Sequence, residues 1–119
     1  MDIERHRQRL VELEQELVSR LGKRLAKARE TTDDQPDVAD RATVDEIRSE
    51  YFILAVTDAE ILDQVRGALT RIEEGTYGRC VADGCPIDEK RLEAVPWTPH
   101  CRKHQQMLEE AAGVRTPAL

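Results

Sequence analysis

The chain has 119 residues, of which 35% are charged and 3% aromatic, with one Trp and one Phe. That leaves room for one domain of modest core, or a small domain plus an extended element, and excludes an ordinary compact globule built on large side chains. Eighteen basic residues against 24 acidic give a net charge of −6. The basic footprint from which duplex-DNA binders draw their affinity is missing, so a protein partner is expected and sequence-specific DNA contact is not.

No apolar run approaches the ~20 residues of a bilayer span, and the start MDIERHRQRL lacks the apolar stretch of a signal peptide. A cytoplasmic chain with no membrane segment is the expectation. All three cysteines fall within Cys80–Cys101. An odd, clustered set in a reducing compartment fits metal ligation better than disulfides.

From Asp2 to about Glu30 the sequence is rich in helix formers and free of Pro. Ile3, Leu10 and Leu17 recur seven apart, with Leu13 between the last two, and the stripe then drifts to Leu21 and Leu25. The spacing predicts a helix with a heptad-like seam. Thr31–Asp40, polar and holding Pro36, reads as a turn. A second helix is expected from about Arg41 to Glu74, with Val44, Ile47, Tyr51, Leu54, Ile61, Val65, Ala68 and Ile72 as its stripe, Asp58 as its polar break and Gly75 as its C-terminal cap.

Two helices of about thirty residues joined by a short turn must run antiparallel, each about 45 Å long at 1.5 Å per residue. Either seam alone would face water, and pairing buries both. The fold class read from these features is mainly α: a coiled-coil hairpin over 1–74 with its tip at about 31–42, a small zinc-binding head with a C-terminal helix over 75–112, and a tail over 113–119.

The segment 76–105 differs in kind. It holds the three Cys, two of the three His, three Pro and the Trp, with little periodicity. Such a stretch needs a metal to organise it. Cys80 and Cys85 form a C-x4-C pair and Cys101 and His104 a C-x2-H pair, fifteen residues apart. Short-spaced pairs present two donors from one knuckle, and thiolate and imidazole are the donors of structural zinc sites. One zinc ion per chain is expected. The bland alternative is buried free cysteines beside a surface His.

The head resembles that of the DksA/TraR family, whose pattern is Y-G-x-C-x-x-C-G-x-x-I-x-x-x-R-L-x-A-x-P followed by C-x-x-C. Tyr77-Gly78-Arg79-Cys80, Gly84, Ile87, Arg91-Leu92, Ala94, Pro96 and Cys101 fit it without a gap, while two family cysteines fall on Asp83 and His104. His for Cys is a common exchange in zinc sites; Asp for Cys is not. Three possibilities follow: Cys85 takes over as fourth ligand, Asp83 ligates through oxygen, or the shell lacks a stable fourth protein donor. Ligand softness favours Cys85, so the expected set is Cys80, Cys85, Cys101 and His104.

The resemblance extends over roughly residues 1–112. Family members acting on RNA polymerase carry D-x-x-D-R-A at the hairpin tip, and Asp37-Val38-Ala39-Asp40-Arg41-Ala42 stands in register with it. Locally, Asp40 could equally be a plain helix N-cap. The resemblance implies a monomeric, non-enzymatic transcription regulator. Its hairpin would enter the secondary channel of RNA polymerase and bring Asp37, Asp40 and Ala42 near the catalytic centre, with zinc as scaffolding in the head.

Longer members have a segment before the first hairpin helix, and this chain starts almost at that helix. Basic residues with which such members hold guanosine tetraphosphate fall here on Gln64, Val95 and Gln105. Weak or absent alarmone binding is therefore expected. Two readings from other classes remain. One is a stand-alone zinc module for protein interaction or redox sensing. The other is a small zinc hydrolase with water in the fourth position and Asp83 or Glu89 as base.

Overall fold

The computed structural model describes residues 1–33 and 41–113, the side chains of 31–33, 41 and 42 apart. It is mainly helical: α1 spans Ile3–Asp33, α2 Arg41–Glu74, α3 Glu89–Ala94 and α4 Arg102–Ala111. No strand forms among the described residues, only an isolated antiparallel bridge between Arg79 and Pro86. No helix among them is long and apolar enough to cross a membrane.

The helices α1 and α2 run side by side in opposite directions. Glu14 meets Arg66 at 3.0 Å, Arg20 meets Asp58 at 3.2 Å, and Arg24 reaches the Leu54 carbonyl at 3.2 Å, so contacts climbing one helix descend the other. The long dimension of the molecule is 56 Å. That length comes from two helices of 31 and 34 residues, about 45–50 Å each at 1.5 Å per residue.

Their shared core is a thin aliphatic line. Leu10 and Leu17 of α1 pack with Leu62, Val65 and Ala68 of α2, and Leu13, Leu21, Ile61, Leu69 and Ile72 flank them. On α2 the buried positions are Ala55, Asp58, Leu62, Val65 and Ala68, a run of threes and fours that keeps one face inward. This departs from the expected stripe. Ile47 and Leu54 are 40% and 39% exposed, while Ala55 and Leu62 take the buried places. On α1, Ile3 and Leu25 likewise face solvent.

Asp58 is not a break in the seam but part of it. Its carboxylate, 2% exposed, is gripped by Arg24 at 2.6 Å and Arg20 at 3.2 Å. Two guanidinium groups four residues apart on α1 satisfy a charge that burial would otherwise make very costly.

Gly75, with φ +77°, ends α2. Its N–H donates to the Ile72 carbonyl at 3.2 Å and the Thr76 N–H to that of Arg71 at 2.9 Å, the double closure of a glycine-capped helix end. That turn sends the chain into the head, which sits against the opening turns of α1. His6, 4% exposed, packs its ring against that of Tyr77 with centroids 5.7 Å apart. Leu10, Tyr77, Ile87 and Leu92 share the same core, and Arg9 donates to the Glu93 carbonyl. Asp33 and Arg41, where α1 ends and α2 begins, belong to the opposite end of the helix pair. Asp37 and Asp40 of the expected tip, and 114–119 of the expected tail, lie outside the described residues.

Candidate metal centre

The head is closed by backbone before any metal is considered. The Cys80 N–H donates to the Cys85 carbonyl at 2.7 Å, the Gly84 N–H to the Cys80 carbonyl at 2.8 Å, and the Ile87 N–H to the Gly78 carbonyl at 2.8 Å. These bonds fold 78–87 into a tight knuckle. Gly84 turns the chain with φ +76°, a conformation that glycine adopts without steric cost. The second knuckle reaches the first through the Val81 N–H, which donates to the Pro99 carbonyl at 2.9 Å. Cys101 stands at the N-cap of α4 and His104 lies in its first turn, so three residues of helix present both donors from one side.

The arrangement gathers Cys80, Asp83, Cys101 and His104, whose ligand atoms all lie within 4.8 Å of one another. Cys101 Sγ is 2.9 Å from His104 Nδ1, and His104 Nε2 is 3.5 Å from Asp83 Oδ2. Tetrahedral zinc with bonds of about 2.0–2.3 Å separates its donors by about 3.3–3.8 Å. Two thiolates, an imidazole and a carboxylate gathered within 4.8 Å of one another are a donor set that suits one structural zinc ion. When bound, the ion ties the two knuckles together as a folding cross-link.

The expected fourth donor, Cys85, stands differently. It is exposed, its S–H donates to Asp83 Oδ2 at 3.0 Å, and its N–H donates to Asp83 Oδ1 at 3.0 Å. Asp83, itself exposed, brings its carboxylate within 4.8 Å of the other three donors, and the Cys85 sulfur is not in that group.

The electrostatics follow the same division. The Cys85 thiol and N–H groups hold the Asp83 carboxyl below its ordinary pKa, and Asp83 in turn pushes the Cys85 thiol up. Burial works against ionisation of Cys80, but hydrogen bonds from the backbone at Cys101, Ala82 and Asp83 outweigh it and bring that thiol down. Burial, with His104, Arg71 and Arg91 nearby, lowers His100.

Tyr77 anchors the head to the hairpin. Its hydroxyl donates to the Pro96 carbonyl at 2.9 Å, and burial pushes its pKa up to about 12. Sequence reasoning missed His6, whose only signal was a place on the inner face of α1, four residues before Leu10. It named Asp58 only as a polar break and missed its pairing with Arg20 and Arg24 across the helices.

Gln64, Val95 and Gln105 line one cavity of about 400 Å³ together with Arg91, His100 and Glu109. The three positions matched to basic residues elsewhere in the family thus do converge, and none of them carries charge.

Residues 75–104 match the profile described as "Prokaryotic dksA/traR C4-type zinc finger". The fold matches the structure of transcription factor DksA2 from Pseudomonas aeruginosa with a TM-score of 0.79, at 28% identity, over 92% of this chain and 84% of that one. The head is that of the DksA/TraR family.

Among curated relatives, the RNA polymerase-binding transcription factor DksA of Caulobacter vibrioides is 29% identical over 94 residues, which cover 79% of this chain and 66% of that protein. General stress protein 16O of Bacillus subtilis is 32% identical over 81 residues, covering 68% and 50% respectively. The chain therefore spans half to two thirds of these relatives' length. Its head departs from the four-cysteine type, since only three cysteines are present.

Proposed function

We propose that this chain is a cytoplasmic, monomeric regulator of transcription that binds RNA polymerase through the secondary channel and alters initiation without catalysis of its own. The observation that carries the reading is the likeness of fold to DksA2 over 92% of the chain. The Caulobacter relative's name, an RNA polymerase-binding transcription factor, supports it.

In this reading residues 1–74 are a coiled-coil rod, 75–112 a docking head and 113–119 a tail. Asp37, Asp40 and Ala42 act at the tip. A stiff rod of this length can deliver two carboxylates into a basic, metal-bearing site and bias it by charge. Zinc serves as scaffolding, with Cys80, Cys101 and His104 among its ligands.

The cavity around Gln64, Val95 and Gln105 lacks the cations that an anionic tetraphosphate needs at those positions. Guanosine tetraphosphate should therefore bind weakly or not at all at the head. Calorimetry on the complex with polymerase checks this, and micromolar binding lost on mutating the head would contradict it.

The primary test is retention on immobilised core RNA polymerase. Wild type and the Asp37→Asn/Asp40→Asn variant should both be retained, and both should be displaced by excess free protein. Failure of the metal-loaded wild type to bind would refute the proposal.

A further inference from the structure

We infer that Asp83 closes the zinc shell through a carboxylate oxygen, and that Cys85 stays outside the shell as an exposed thiol hydrogen-bonded to that ligand. The inference rests on the zinc reading of the head and not on polymerase binding.

Three facts of geometry carry it. Asp83, and not Cys85, joins Cys80, Cys101 and His104 in the group whose ligand atoms lie within 4.8 Å of one another. Cys85 spends both its donors on Asp83, the S–H on Oδ2 and the N–H on Oδ1, each at 3.0 Å. Outer-sphere bonds of this kind orient a ligating carboxylate and fix its charge on the metal. Cys85 is also exposed where Cys80 is buried, so its sulfur stays open to solvent.

Softness argues the other way, since zinc takes thiolate readily. The backbone decides against it. Cys85 has its carbonyl fixed by the Cys80 N–H at 2.7 Å and its N–H fixed by Asp83. Bringing the sulfur inward would break the Asp83 contacts and expel a carboxylate already placed 3.5 Å from His104 Nε2. The chain thus keeps the register of a four-ligand head with the second donor changed from sulfur to oxygen, and it carries one thiol more than the ion needs.

Differential alkylation of the full chain at one zinc per protein tests this, with zinc content measured on the same samples. Iodoacetamide should label Cys85 alone, with Cys80 and Cys101 becoming reactive only after chelation. Cobalt(II) in place of zinc should show the charge-transfer intensity of two thiolates; Cys85→Ser should leave it unchanged, and Asp83→Cys should raise it by about half as a third thiolate enters. Cys85→Ser keeps a donor to Asp83, so zinc affinity should stay within a few-fold, whereas Asp83→Ala should lower it by more than the roughly 10–100-fold typical of outer-sphere changes.

Protection of Cys85 in the zinc-loaded protein, or a three-thiolate cobalt spectrum lost in Cys85→Ser, overturns the inference while leaving the zinc site standing. A chain that binds no zinc and labels at all three cysteines overturns both.

Discussion

The head and the helix pair solve the same problem, a shortage of large apolar side chains, by different means. The pair spreads its burial along a line of small aliphatics from Leu10 and Leu17 to Leu62, Val65 and Ala68, and near its middle replaces one apolar contact with a carboxylate held by two arginines. The head has Tyr77, Ile87 and Leu92 as its contribution to the core and depends for the rest on backbone bonds and gathered donors. A long antiparallel pair gains stability residue by residue, because every turn adds contacts to the last. A thirty-residue knuckle has no such increment, and a metal cross-link must supply it.

Metal removal should separate the two regions most sharply. Apparent zinc binding in small metal-organised domains amounts to roughly 10–16 kcal/mol, far beyond what the head's few buried side chains can offset. A strong chelator should abolish the near-ultraviolet circular dichroism of Tyr77 and Trp97 while most of the far-ultraviolet helical signal remains. Equal loss of both signals would mean that the helix pair leans on the head, and loss of neither would mean that the head stands without metal.

The next largest effect lies in the helix pair. Arg20→Ala/Arg24→Ala leaves Asp58, 2% exposed, as an uncompensated buried charge, at a cost of roughly 3–5 kcal/mol. Asp58→Leu should behave quite differently. Arg20 and Arg24 keep 42% and 26% of their side chains exposed and can turn to water, so removing the acid should cost no more than ~1 kcal/mol. Urea melts followed by helical signal on the zinc-loaded proteins measure the asymmetry. Similar losses from the two variants would show that the cluster is not held by its charges.

The smallest effect sharpens the join between the regions. Tyr77→Phe removes the donor to the Pro96 carbonyl, a loss of about 1 kcal/mol. Because burial pushes the Tyr77 pKa up to about 12, the folded state keeps a proton that the unfolded chain releases near pH 10. The stability this confers is complete below about pH 10 and declines as the pH rises towards 12. Wild type should therefore lose stability across that window by more than Tyr77→Phe does. Parallel declines in the two proteins would contradict the assignment.

How much of this was legible in the sequence differs by region, for physical reasons. The two helices and their capping glycine at Gly75 follow from period and punctuation, and the structure has them. The exact seam does not, because bulk misleads. Leu54 attracts notice over Ala55, yet the inward face of α2 runs through Ala55, Asp58 and Leu62, and close helix approach suits the alanine. Leu25 fails for the same reason, since Ala28 lies on the inner line.

In the head, spacing was enough to bring Cys80, Cys101 and His104 together. It could not order Asp83 and Cys85, two residues apart across a glycine with positive φ, because spacing does not report which way the backbone turns each donor. The convergence of Gln64, Val95 and Gln105 on one cavity came only from the family resemblance, since no local pattern links an α2 residue to α4.

The central claim is that the chain acts on polymerase by charge carried at the hairpin tip, and an initiation assay with purified polymerase tests it directly. Asn caps a helix about as well as Asp, so Asp37→Asn/Asp40→Asn should preserve stability, zinc content and polymerase binding. The account predicts that this variant, bound as tightly as wild type, loses the effect on transcription initiation. Full regulatory activity in the double Asn variant would contradict it and leave the helix pair as a docking rod alone.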